Sequence, residues 1–167
     1  MQEASSHPDG YRETVTKVSQ INSYLTFAGN CREAMNFYQS CLGGDLTFQT
    51  IGETPLGKDL PLEIKNRILH ATLIRDNVVL MASDMVPDEG LVRGNAVSMS
   101  LECNSEEEIK TIYERLSADG KKNHPLENTF WGALFGDLTD KFGNHWLLHF
   151  NAEDNSKSLQ QNFAASR

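Results

Sequence analysis

Apolar positions recur at short spacing through Ile21–Phe27 (Ile-Asn-Ser-Tyr-Leu-Thr-Phe), a run that reads as a strand. Ala28-Gly29-Asn30 interrupts it. A helical period follows: Ala34, Phe37, Tyr38, Cys41 and Leu42 recur at i, i+3, i+4, i+7 and i+8, as on a helix with one buried face. Asn30 with Glu33 reads as a capping box at its start, and Gly43-Gly44 as a left-handed stop at its end. Alternation marks Asp45–Ile51. Gly52–Lys65, punctuated by Pro55, Gly57 and Pro61, has no period and reads as a loop. Arg67–Ile74 and Val78–Ser83 are β-rich runs hinged at Arg75-Asp76-Asn77, which predicts a hairpin.

After Met85–Asn95, broken by Pro87, Gly90 and Gly94, the order repeats. Ala96–Glu102 is a strand with Val97, Met99 and Leu101 on one side. Ser105 with Glu108 forms a second capping box, ahead of a helix whose apolar face is Ile109, Ile112, Tyr113 and Leu116. Gly120 stops it. Lys121–Leu126 is a short strand that Pro125 restricts to a sheet edge. Gly132–Asp137 and His145–Phe150 close the set as a hairpin, with Asp140 and Gly143 as turn residues. The chain therefore reads as β-α-β-β-β twice: residues 18–84 and 96–152, joined by a linker at 85–95, with flexible tails at 1–17 and 153–167. The predicted class is α+β, two βαβββ modules forming a curved mixed sheet around a cavity.

Composition narrows the functions. With 167 residues, 39% hydrophobic and 23% charged, the chain is long enough for a core without staples. A formal net charge of -8 argues against nucleic acid or an anionic membrane as partner. No apolar run is long enough to span a bilayer, and Met1–Gly10 lacks the features of a signal peptide. Three scattered cysteines (Cys31, Cys41, Cys103) suggest neither disulfides nor a Cys metal cluster, so a cytoplasmic setting is expected.

Several segments carry a resemblance. Tyr24–Tyr38 running on to Gly43-Gly44, Leu80–Asp84, Trp131-Gly132, Phe135-Gly136 and Asp140-Lys-Phe-Gly-Asn-His-Trp146 together resemble the PhnB-like branch of the vicinal oxygen chelate superfamily, which includes glyoxalase I, extradiol dioxygenases and bleomycin-resistance proteins. The resemblance covers residues 18–151 and implies the glyoxalase/bleomycin-resistance-like fold and a homodimer, in which modules are sometimes exchanged between chains. Domains of this branch often carry the label of a demethylubiquinone methyltransferase. No glycine-rich S-adenosylmethionine loop follows a strand here.

Enzymes of the superfamily hold a divalent metal through four cavity strands. Carried over one at a time, those positions fall on Ser23, Met81, Val97 and Leu147, which are poor ligands for a hard cation. The expectation is thus no metal site and no cofactor. By period two, His145, Leu147 and His149 share one face of the last strand. His70 and His149, with Asp84 or Asp137, are the alternatives for a displaced metal site or an acid–base pair, against the plainer reading of packed strand histidines. Trp131, Phe135 and Trp146 fit either ordinary core or an aromatic wall for a planar ligand. Asp140 is read as ordering the hairpin turn. Cys31 lies near a helix N-terminus, a position that lowers a thiol pKa, but with no partner base it is read as structural.

The leading expectation is a metal-independent protein binding a small aromatic or apolar molecule, with contacts from Ser23, Phe27, His70, Met81, Trp131, Phe135, Trp146, Leu147 and His149. The second is a metal-dependent or His/Asp acid–base lyase, isomerase or dioxygenase-type enzyme in the same cavity, with His70, His149 and Asp137 as catalytic candidates. A third is an interaction module whose cavity is filled by side chains.

Overall fold

A computed structural model describes residues 20–130 and 132–152. Its elements are β1 (Ser23–Thr26), α1 (Cys31–Leu42), β2 (Asp45–Thr50), α2 (Leu62–Lys65), β3 (Ile68–Arg75), β4 (Val78–Ser83), β5 (Met99–Glu102), α3 (Glu106–Leu116), β6 (Lys121–Asn128), β7 (Leu134–Thr139) and β8 (His145–Phe150). The expected tails at 1–17 and 153–167 lie outside the described residues. The strands form two four-stranded mixed sheets, ordered β1-β4-β3-β2 and β5-β8-β7-β6. In each, the first strand runs parallel to the fourth and the other pairings are antiparallel. The same topology therefore occurs twice. The segment between β2 and β3, expected as a loop, holds two 3-10 turns (Ile51–Glu53 and Pro55–Gly57) and the single turn of α2.

Each helix covers one face of its own sheet. On α1 the buried positions are Cys31, Ala34, Met35, Tyr38, Cys41 and Leu42: Ala34, Tyr38, Cys41 and Leu42 are as the spacing predicts, Cys31 and Met35 are added, and Phe37 is only half-buried. Its N-terminal cap differs from expectation. Asn30 makes no side-chain cap; instead Asp84 Oδ1 accepts from Gly29 N and Cys31 N, both at 2.9 Å, while Oδ2 accepts from Ile68 N at 3.0 Å. A carboxylate can take three donors where an Asn side chain offers a single acceptor oxygen, so the strand-end aspartate caps the helix. Gly44 ends the helix region at φ 95°, and a Cβ there would lie 2.4 Å from the Ile74 carbonyl oxygen.

At α3, Ser105 Oγ accepts from Glu108 N, but the Glu108 carboxylate reaches back to Asn104 N. The left-handed residue beyond this helix is Asp119, at φ 58°. Gly120 is required for a different reason, because a Cβ would lie 2.4 Å from Thr139 O.

The helix-covered sides of both modules share one hydrophobic core that includes Phe27, Tyr38, Leu73, Ile109, Tyr113, Trp146 and Leu148. Asp140 sits at its seam, 3% exposed. Its Oδ2 accepts from Tyr38 Oη at 2.7 Å and Trp146 Nε1 at 2.9 Å, and its Oδ1 from the amides of Phe142 (2.9 Å) and Asn144 (3.0 Å). Asn144 Nδ2 donates to Tyr38 Oη at 2.6 Å, and Arg93 from the linker donates to Asn144 Oδ1 at 2.8 Å. Asp140 thus orders its turn as expected and also ties α1 to the second module. A second clamp lies one turn further on, at the C-terminus of α1. Arg75 donates to Leu42 O and to Glu108 Oε1, each at 2.6 Å.

Because the helix sides meet, the opposite faces of the two sheets are left uncovered. What the modules share within one chain is packed core. Among the described residues no helix is long and apolar enough to cross a membrane.

Two stability outcomes follow from the clamps. Asp140→Asn presents an amide donor to groups that are themselves donors, and should cost about 2–4 kcal/mol in urea unfolding; Tyr38→Phe should cost about 1–2 kcal/mol. Burial raises the Glu108 pKa, but its bonds to Asn104 and Arg75 outweigh this and hold the carboxyl below its ordinary value. The stability it contributes is therefore present above the unfolded carboxyl's pKa and is lost as pH falls through the lower, folded one. Measured across the acid range, Glu108→Gln should flatten that limb of the stability profile.

Candidate functional site

Strand alternation sorts the expected site residues onto two faces. Leu80, Ala82, Trp146, Leu148 and Leu138 face the helices and are nearly inaccessible, at 0–3%. Their chain neighbours face outward. On the N-terminal sheet the outward row Tyr24, Met81 and Thr72 is set by direct pairing across β1, β4 and β3. His70 joins it from β3, with Nε2 2.9 Å from Thr72 Oγ1 and its ring 6.0 Å from that of Tyr24. Of the expected contacts, His70 and Met81 lie on this face. Ser23 does not: one residue out of phase with Tyr24, it pairs with Leu80 and stays exposed, at a cleft of about 260 Å³ that Leu80 and Trp146 also line.

The outward face of the C-terminal sheet is richer in chemistry. One row crosses it as Glu102 on β5, His149 on β8, Phe135 on β7 and Glu127 on β6; the next as Ser100, Leu147, Asp137 and His124. His149 Nε2 stands 3.9 Å from Glu102 Oε2. His124 Nδ1 stands 2.5 Å from Asp137 Oδ2. His145, on the same face, meets Thr139 Oγ1 at 3.0 Å. Phe135 and Leu147 form a half-buried apolar floor between the two histidine–carboxylate pairs. Such a face can stack an apolar body and hold its polar ends by hydrogen bonds. Asp137 is diagonal to His149 across β7 and β8, a separation of roughly 7–8 Å.

Other expected residues go elsewhere. Phe27 is fully buried, and Trp146 is 3% exposed with its indole N–H committed to Asp140. Both are core, because Trp146 alternates with Leu147 and so points the opposite way. Trp131 lies outside the described residues. Val97 precedes β5 and is 81% exposed. His70 and His149 stand on different sheets, and both oxygens of Asp84 are spent on backbone amides. Among the described residues no three His, Cys, Asp or Glu side chains converge as a metal cage. Nor do the four carried-over positions fit a hard cation: Met81 offers a thioether, Leu147 and Val97 offer nothing, and Ser23 faces away. His124 escaped sequence reading. Its signal was the register of β6 on β7, which sets it directly opposite Asp137.

Two clefts lie off these faces. One of about 570 Å³ runs between the end of α1 and the start of α3, and one of about 440 Å³ adjoins it at the β3–β4 turn and β5. Arg75, Glu108 and Arg115 there already bond to one another or to α1 carbonyls, so these clefts belong to the inter-module seam.

The cysteine thiols are inert by position. Burial, with the Asp84 charge added, pushes Cys31 up to about 12, overriding the helix N-terminus that sequence alone suggested would lower it. Burial likewise pushes Cys103 up to about 12, helped by Glu108. In native buffer near pH 8 a disulfide-exchange reagent should therefore label these thiols at least tenfold more slowly than in denaturant; equal rates would contradict the burial.

With the geometry in hand, similarity to known proteins can be set beside it. A sequence profile described as 3-demethylubiquinone-9 3-methyltransferase matches residues 19–149. Protein YjdN of Escherichia coli (strain K12) is 32% identical over 138 residues, covering 77% of this chain and 93% of that one. The crystal structure of protein PA1353 from Pseudomonas aeruginosa superposes with a TM-score of 0.71 at 37% identity, covering 80% of this chain and 98% of that one. A Bacillus cereus protein described as a putative 3-demethylubiquinone-9 3-methyltransferase, PhnB protein, gives 0.62 at 27%, covering 79% and 99%. In fold alone, the chain also resembles a member of the glyoxalase/bleomycin resistance protein/dioxygenase superfamily from Sphaerobacter thermophilus (TM-score 0.52, 19% identity, covering 80% and 98%). The architecture is the glyoxalase/bleomycin-resistance-like one.

Proposed function

The chain belongs to the 3-demethylubiquinone-9 3-methyltransferase (PhnB-like) family, and on that premise we propose that it binds a small aromatic or apolar molecule on the outward face of its C-terminal sheet. One observation carries the reading: Phe135 and Leu147 form an uncovered apolar floor on rigid central strands, flanked by the pairs His149–Glu102 and His124–Asp137. Sites on strands hold their geometry, so a ligand could be oriented without a metal. Methyl transfer, which the family's description names, receives no support from the turn after β1, where the Gly29 amide is used by Asp84.

We place a homodimer contact on the same face. A single sheet surface is shallow, and a second copy laid over it would enclose the ligand on both sides. A cytoplasmic setting without nucleic acid as partner agrees with the net charge of -8. The second reading, an acid–base enzyme, is favoured specifically by the close approach of His124 and Asp137.

The reading is tested by thermal-shift screening of aromatic small molecules. Hits should raise the melting temperature of the wild type, and Phe135→Ala should weaken their binding about tenfold or more through the lost apolar contact. The idea fails if Phe135→Ala and Leu147→Ala bind every hit as the wild type does. Metal analysis of the purified protein separates a cation-dependent enzyme from a binding protein.

A further inference from the structure

His124 sits on the edge strand β6, 73% exposed, whereas its partner Asp137 is 19% exposed on the inner strand β7. Several features aim this pair. The β6–β7 register shifts on both sides of His124, and such irregularities redirect a side chain. Pro125 follows it and has no N–H to donate to the ladder. From the covered side of the sheet, Tyr113 Oη donates to His124 O at 2.8 Å. That approach depends on Gly136, where a Cβ would lie 2.9 Å from both the Tyr113 ring and Leu126. The backbone at His124 is therefore anchored through the sheet while its imidazole stands on the outward face.

A carboxylate on Nδ1 fixes the tautomer: the proton stays at Nδ1 and the lone pair at Nε2. Among the described residues no hydrogen bond reaches Nε2. The neighbouring floor of Phe135 and Leu147 leads across β7 and β8 to His149, two strand spacings or about 10 Å away. An aromatic ring laid on that floor would bring one end to His124.

We propose that His124, positioned by Asp137, is the proton acceptor of this face, and that the ligand is a phenol or enol. The ligand O–H breaks, its proton bonds to Nε2, and the resulting imidazolium is balanced by the Asp137 carboxylate while the ligand remains as the oxyanion. This rests on the binding reading above and adds the class of ligand and the role of each group.

The test compares 4-nitrophenol with its methyl ether, 4-nitroanisole, in near-neutral buffer, where an ordinary imidazole is still largely neutral and the free phenol remains largely un-ionised, so that proton transfer on binding strengthens the phenolate band. Binding is read by equilibrium dialysis, and ionisation by the visible phenolate band. The wild type should bind the phenol about tenfold more tightly than the ether and show the strengthened phenolate band when bound. His124→Gln and Asp137→Asn should lose that strengthening and the preference while still binding the ether; His124 is exposed enough that the variant folds, which its melting curve checks. Equal binding of phenol and ether, or a strengthening of the band that survives His124→Gln, overturns the assignment and leaves the binding reading standing. Absence of binding by both compounds overturns the two together.

Discussion

The Asp140 carboxylate is withdrawn from water and accepts from Tyr38, Trp146 and two turn amides, with Asn144 and Arg93 completing the chain of bonds. A buried charge is tolerable only when fully hydrogen-bonded, so these donors are held in one arrangement. Burial, followed by the Asp140 charge, raises the Tyr38 pKa, so the phenol stays protonated and keeps donating. Since Tyr38 belongs to α1 and Trp146 to β8, the network sets how the modules meet. They meet through their helix-covered sides, and the other faces turn outward. The uncovered sheet faces are a consequence of that docking.

The repeated topology hides an asymmetry. Each module has a buried aspartate, yet Asp84 closes its own module by capping α1, while Asp140 reaches across to the other one. Arg75 adds a second crossing at the C-terminus of α1, where it joins the Leu42 carbonyl to Glu108. Two different polar links, one turn apart in the C-terminal half of one helix, tie it to the second module.

Much of this was legible in the chain because it is local. Period-two and helical spacings placed β4 and β8 to the residue and the other long elements to within a few residues. The caps were less legible. Asn30 and Glu33 have the local pattern, but Asp84, 53 residues beyond Cys31, supplies the better acceptor. Phase mattered for the site. His145, Leu147 and His149 sharing a face follows from alternation, and the same alternation puts Trp146 in the core, so grouping Trp146 with Leu147 was inconsistent with the pleat. Ser23 lies one residue out of phase with the outward row for the same reason. His124 could not be found from its own neighbourhood, since Pro125 makes that segment look weak and only cross-strand register reveals Asp137 opposite.

Asp84 also bears on how the polypeptide is made. It lies beyond β4, whereas the helix it caps begins at Cys31, so a chain emerging from the ribosome exposes α1 well before its terminal carboxylate arrives. Until residue 84 has left the exit tunnel, the first amides of α1 lack this acceptor and Ile68 lacks its own. The first module is therefore completed from its far end.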